Sequence, residues 1–361
     1  MRAVVLDKIA SVTRSCRLKR EVLISAEIPC REGIVVAVRV ANDKSTYNQL
    51  ELPSGRMAQV KKGDVVAGAL GHRHALFGYS GHLPDHLVVG DRIHLLNMGG
   101  VLGICDSSNP DLGPPFEGEV LGAVLSFPFL GERVGVPARI GERPLDLAAP
   151  LDVLDVPVVA FVGSCMNSGK TAAACAVIRC LTQWGYTVDA FKATGVSLRR
   201  DILAMEDSGA RTTAIFTDLG VVSSAPENAP AVTRTLLTQL AAGRPEAIVV
   251  ELGDGLLGAY GVDAILEDAD IRAALTAVVL AANDPVAAWG GVRLLRERYG
   301  IEPVGVTGPA SDNLVGTRII EETLGVPAIN ARIDGERLAK LVRSRLVPYD
   351  PARAAGGEIV S

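Results

Sequence analysis

Along residues 1–152 apolar positions come in short bursts, such as Val35-Val36-Ala37-Val38 and Val65-Val66-Ala67-Gly68. Turn signals at Lys62-Gly63-Asp64, Val89-Gly90-Asp91 and Met98-Gly99-Gly100 separate them. No stretch there keeps a helical period over 15 residues, so the pattern predicts a small β-barrel or sandwich. After Pro157 the pattern changes to apolar strand, loop and amphipathic helix in repeated succession, which predicts a parallel sheet with helices on both faces. The expected strands cover 158–162, 187–191, 213–217, 247–251, 277–281, 303–306 and 328–330, each short and apolar as buried parallel strands are. Helices are expected over 170–184, 230–242, 285–299, 313–324 and 334–346, with Gly185, Gly243, Gly300 and Gly325 at or just past four of their ends. The predicted organisation is a β-rich unit over 1–152, an α/β unit over 153–349 and a flexible tail over 350–361. The joining segment falls within 141–156, where Pro144, Pro150 and Pro157 interrupt regular structure.

Composition changes this picture little. The 361 residues suffice for two cores, and a formal net charge of −5 gives no electrostatic reason for a nucleic-acid or anionic-membrane partner. Small molecules are the expected partners. The six cysteines form no C-x-x-C pair, which speaks against a disulfide framework or zinc knuckle. The early charge at Asp7 and the lack of an 18-residue apolar window lead to the expectation of a cytoplasmic protein.

The strongest chemical signal is Gly163-Ser164-Cys165-Met166-Asn167-Ser168-Gly169-Lys170-Thr171, between an apolar strand and a helical stretch. Such a loop turns successive backbone N–H groups and a helix N-terminus toward a phosphate, Lys170 reaches the β and γ phosphates, and Thr171 offers a hydroxyl to Mg²⁺. Gly169 is expected to spare a Cβ where the backbone approaches the anion. Five residues rather than four separate Gly163 from Gly169-Lys170, with Ser164 where the usual glycine would stand. Nucleotide binding through residues 163–171 is the expectation.

This loop resembles that of the dethiobiotin synthetase family and its relatives, the cobyrinic acid amide synthetases, whose loop reads roughly G-T-D-T-x-V-G-K-T. Ser164 matches the first threonine and Cys165 replaces the aspartate. Phe191-Lys192-Ala193-Thr194-Gly195 is similar to the family's Y-K-P-V-x-T/S-G segment, and Ile248-Val249-Val250-Glu251-Leu252-Gly253-Asp254-Gly255 occupies the place of its E-G-A-G-G segment. The resemblance covers about 156–346 and implies a P-loop NTPase fold. It also implies that Lys192 sits across from Lys170 to stabilise transferred charge, that Glu251 holds Mg²⁺ with Asp254 as a second candidate, and that the chain is a homodimer. Without the resemblance, Lys192 reads as a lysine ending a strand and Glu251 as an acid opening a turn.

Several weaker candidates accompany these. Arg199, Arg200 and Asp201 lie on a loop expected to rim the crevice, as do Thr217 and Asp218, and these charges read equally as solvated surface. Ala282-Asn283-Asp284-Pro285 stands where GTP-selective proteins carry N-K-x-D, but lacks the lysine, which favours ATP. Asn283 or Asp284 is a candidate base contact, as are Asp312 and Asn313. All five histidines, at 72, 74, 82, 86 and 94, fall in the first half, where with Asp85 they read as a zinc site, a substrate pocket, or exposed loop histidines that hydrogen-bond locally. The leading expectation is an ATP- and Mg²⁺-dependent enzyme that activates a small carboxylate or carbamate for amide or ring formation, with Lys170, Lys192 and Glu251 as its catalytic residues. A small-molecule kinase and a nucleotide-driven switch or metal chaperone are the alternatives.

Overall fold

A computed structural model describes residues 1–129, 131, 134–141 and 145–346. The expected tail over 350–361 and Pro144 of the joining segment lie outside them.

Five strands of the first half close on themselves. Phe116–Ser126 pairs antiparallel with Val35–Val40, which pairs with Val65–Leu70, then Val101–Ser108, then Arg92–Leu95, and Arg92–Leu95 returns to Phe116–Ser126. The ring is a small barrel with additional strands on its flanks. A register shift between Val120 and Gly122 bends the longest strand; Gly122 takes φ 147, and a Cβ there would stand 2.4 Å from the Ser25 carbonyl oxygen. This glycine bulge supplies the curvature that closure needs. The interior is packed by aliphatics such as Val36, Leu70, Ile93 and Val120. Its helical pieces among the described residues are two 3₁₀ turns, Ser11–Cys16 and Pro110–Leu112.

The second half builds a sheet of six strands, all parallel. They are β1 (Val158–Gly163), β2 (Val188–Thr194), β3 (Thr213–Ile215), β4 (Ala247–Leu252), β5 (Leu275–Ala281) and β6 (Gly305–Thr307), in the order β3-β2-β4-β1-β5-β6. Helices α1 (Lys170–Gln183), α2 (Arg200–Asp207), α3 (Ala229–Ala241), α4 (Val262–Glu267), α5 (Ala269–Ala274), α6 (Pro285–Tyr299), α7 (Leu314–Leu324) and α8 (Gly335–Leu346) surround it. Alternate strand residues divide between two cores. Val158, Ala160 and Val162 of β1 join one, while Val159 and Phe161 join the other. The central strands are buried throughout, because helices cover both faces. None of the described helices is long and apolar enough to cross a membrane.

Three local expectations need correction. The segment Arg199-Arg200-Asp201 is not loop: α2 begins at Arg200, and its start is capped from the barrel, where Glu51 accepts from the Arg199 and Arg200 N–H groups at 2.8 Å each. The strand expected over 213–217 stops at Ile215, and Phe216–Leu219 turns as a 3₁₀ helix. The strand expected over 328–330 reduces to a single bridge between Ala328 and Val306.

The barrel and sheet are joined by polar contacts buried between them. Asn97 donates to the Ser197 carbonyl at 2.6 Å and accepts from Val101 N–H at 2.9 Å, while Glu32 accepts from the N–H of Val222 and Ser223. Val222 itself enters the barrel core. Asn97→Ala strands both a carbonyl and an N–H in a dry place, so it is expected to lower the unfolding free energy by about 1–3 kcal/mol. Urea denaturation measures this, and a change of less than about 0.5 kcal/mol would show that the junction is not under this constraint.

Candidate functional site

The loop between β1 and α1 starts where the sheet ends. Asn167 and Gly169 both take left-handed backbone conformations, at φ 57 and 94. A left-handed residue immediately before the helix explains the glycine at 169. A Cβ there would meet the Gly308 Cα at 3.3 Å, in the loop after β6. Strand, glycine-bearing loop and Lys170-Thr171 at the helix start give the second half the architecture of a P-loop NTPase.

A cleft of about 470 Å³ opens over this loop, walled by both halves of the chain. From the second half come Met166, Asn167, Ser168, Gly169, Lys170 and Thr171, with Lys192, Arg200, Asp201, Glu251 and Asp254. The barrel contributes Tyr47, Arg73, Phe77, Asn97 and Met98. Lys170 folds back onto the loop, where its ammonium donates to the Cys165 carbonyl at 2.8 Å and to the Asp254 carbonyl. Burial pushes its pKa down from 10.5, and nearby Glu251 opposes that shift.

Lys192 and Asp201 form a buried ion pair beside it. Burial alone would push the Lys192 ammonium down, but the carboxylates of Asp201 and Glu251 outweigh it and hold its pKa up at about 12. Burial likewise works against ionised Asp201, and Lys192 overcomes it, so this carboxyl lies below its ordinary value. The pair exists because β2 ends at Thr194 and α2 starts at Arg200, bringing residues nine apart face to face.

Glu251 lies one residue before the end of β4, beside β1, with Phe161 as its register partner. It is 3% exposed, and Asp254 is 6% exposed. Glu251 Oε2 and both carboxylate oxygens of Asp254 have no hydrogen-bond partner. Burial raises both pKa values; Lys192 pulls Glu251 back in part, and Lys170 does so for Asp254. Leaving carboxylate oxygens dry and unpaired is costly unless a cation completes them. Thr171, Glu251 and Asp254 all line the cleft, and their oxygens are hard donors of the kind Mg²⁺ takes. Only two carboxylates take part, so no group of three His, Cys, Asp or Glu converges among the described residues. Mg²⁺ tolerates this, since it keeps several waters and takes further ligands from substrate phosphates.

The other candidates are dispersed. Ser164 sits at the loop's far side, its hydroxyl accepting from the Asn283 N–H at 3.3 Å, while Asn283 is exposed and outside the cleft wall. Asp284 caps α6 through Val286 and Ala287 N–H, and Asn313 caps α7 through Val315 and Gly316 N–H. Asp312 accepts from the Asn330 amide at 2.8 Å. Asp218 accepts from Ile215 N–H, and neither it nor Thr217 lines the cleft. Arg199 turns to the Pro53 carbonyl, whereas Arg200 stays on the exposed rim. The histidines do not gather into a metal site: His72 and His74 stack with centroids 6.1 Å apart, His82 pairs with Asp106, and His94 accepts from Cys105 N–H. Sequence reasoning missed Tyr47, Arg73, Asn97 and Tyr260. The barrel side of the cleft carries no motif, and the one local signal was the polar density around 72–74.

A scan against protein-family models and a search of curated proteins returned no match. Among solved structures, the chain is similar to a DUF1611 family protein from Anabaena variabilis, at 13% identity and a TM-score of 0.42 over 57% of this chain and 63% of that one. It thus spans less than two thirds of that protein's length. It is also similar to the hydrogenase maturation factor HypB from Archaeoglobus fulgidus, at 9% identity and a TM-score of 0.35 over 54% of this chain and 91% of that one. A third similarity is to the signal recognition particle 54 kDa protein from Aeropyrum pernix in complex with GDP, at 18% identity and a TM-score of 0.34 over 53% and 49% of the two chains.

Proposed function

We propose that the protein binds a nucleoside triphosphate, ATP on the sequence reading, with Mg²⁺ in this cleft and transfers the γ-phosphoryl group to a small-molecule acid. The supporting observation is the meeting, over one phosphate loop, of two buried lysines and two buried carboxylates with unpartnered oxygens. Lys170 is held only by carbonyl and hydroxyl oxygens, which a triphosphate tail can replace. Thr171, Glu251 and Asp254 would hold Mg²⁺, which when bound neutralises phosphate charge.

In the reaction we assign, a substrate carboxylate or carbamate oxygen attacks the γ-phosphorus, the bond to the β-phosphate oxygen breaks, and ADP leaves. A nitrogen nucleophile then attacks the acyl carbon, loses a proton and expels inorganic phosphate, giving an amide or ring. Lys192, kept charged by Asp201, would meet charge developing on the transferred group. The barrel wall would keep water from the acyl phosphate. This is the chemistry of the dethiobiotin synthetase-like ligases that the sequence resembles. A kinase would keep the phosphoryl group on its product, and the positions of the histidines give no support to a metal-chaperone reading.

Lys170→Ala is expected to weaken binding of a fluorescent ATP analogue by about tenfold or more, equivalent to about 1.4 kcal/mol. Lys192→Ala should retain binding but lose turnover by about a hundredfold or more. Unchanged affinity in the first variant contradicts nucleotide binding at this loop. Phosphorus NMR of a turnover mixture should show inorganic phosphate; a phosphorylated end product would overturn the ligase assignment in favour of a kinase.

The buried acid makes a separate prediction. Because Asp254 titrates above its ordinary 3.8, its ionised form opposes folding at pH values above the folded pKa, and this penalty vanishes below the unfolded one. Ligand-free Asp254→Asn should therefore be more stable at pH 8, by about 1 kcal/mol, with the advantage shrinking toward pH 4. The variant should also lose the stabilisation that Mg²⁺·ATP confers. Melting at pH 8 unchanged or lowered would contradict this.

A further inference from the structure

One charged group in the cleft is not used by the reaction assigned above. Arg73, on the barrel side, is 3% exposed. One terminal nitrogen donates to the Leu96 carbonyl and to the Tyr47 hydroxyl at 3.2 Å, and the other reaches the Phe77 carbonyl at 3.4 Å. The Tyr260 hydroxyl, which accepts from the His74 N–H at 3.3 Å, lies nearby, and the guanidinium is 5.8 Å from the Tyr47 ring centroid. Each of these partners is neutral. The Nε atom has no partner at all.

A guanidinium keeps its charge at all accessible pH values, and burying it among neutral acceptors recovers only part of its lost hydration. Asp254 is close enough to feel its charge, yet both Asp254 oxygens are unpartnered, so the two groups face one cleft without bonding. What lies between them should bring a negative end to Arg73. A carboxylate fits better than a phosphate: a single guanidinium with two neutral phenols balances one negative charge, and a dianion would meet Asp254 with charge to spare.

We propose that Arg73, with the hydroxyls of Tyr47 and Tyr260, seats a carboxylate of the substrate, apart from the phosphate groups. This rests on the cleft being the substrate site of the proposed reaction and names the substrate class. The acid carries one anionic group that is phosphorylated near Lys192 and a second, unreacted carboxylate held at Arg73. Dicarboxylates are thus the simplest mimics.

The test is binding of succinate to the full-length protein without nucleotide, measured by NMR titration. Succinate should bind in the millimolar range and neutral succinamide at least about tenfold more weakly, a comparison that needs no variant. Arg73→Gln should weaken succinate about tenfold or more while leaving Mg²⁺·ATP affinity within about twofold, and Arg73→Lys should fall between the two. Equal binding of succinate and succinamide, undiminished succinate binding by folded Arg73→Gln, or tighter binding of methylphosphonate than of succinate would each overturn the proposal. Lys170→Ala separates the two readings: it should keep succinate and lose ATP. If ATP binds nowhere while succinate still depends on Arg73, the nucleotide reading fails and the carboxylate seat stands.

Discussion

Buried charge without a buried partner is the constraint on which this molecule turns. Several buried ionic groups among the described residues are matched: Lys192 has Asp201, Asp189 has Arg211, and Glu51 has two backbone N–H groups. Around the cleft the matching stops, with Glu251, Asp254 and Arg73 each keeping an unpartnered polar atom. Single unpartnered atoms also occur on Ser197, Arg199, Ser223, Asp263 and Tyr299, but Glu251, Asp254 and Arg73 line one cleft, where a ligand can remove the penalty.

The barrel is part of that arrangement rather than an appendage. Glu51 caps α2 from across the junction, and α2 carries Asp201 to Lys192, so the placement of this ion pair in the sheet domain is supported by a carboxylate of the first half. Asn97 ties the segment after β2 to the barrel wall, while Tyr260, from beyond β4, reaches back to His74 N–H. These contacts join residues more than 90 positions apart in the chain, and they give both cleft walls a fixed relation.

This long range also explains what could be read from the chain beforehand. The parallel sheet was legible because each strand is a buried apolar run, and the phosphate loop because its residues act within nine positions of one another. α2 escaped notice: it is eight residues long, and its start is stabilised by Glu51 rather than by a local cap. The six-residue helices α4 and α5 are too short to show a period. Asp284 and Asn313 illustrate the opposite difficulty, since an acid or amide before a helix carries the same letters whether it caps or binds. Arg73 could not be distinguished from a surface arginine, because its burial is created by the Tyr47, Phe77, Leu96 and Tyr260 groups around it.

The central claim is that the unpaired carboxylates of Glu251 and Asp254 await a metal-bound triphosphate. Titration calorimetry of the unmodified protein with ATP, in the presence and absence of Mg²⁺, addresses it most directly. The account predicts one site per chain with a dissociation constant of about 100 μM or tighter when Mg²⁺ is present, and binding at least about tenfold weaker without it. No heat of binding under either condition, or an affinity indifferent to Mg²⁺, would contradict it.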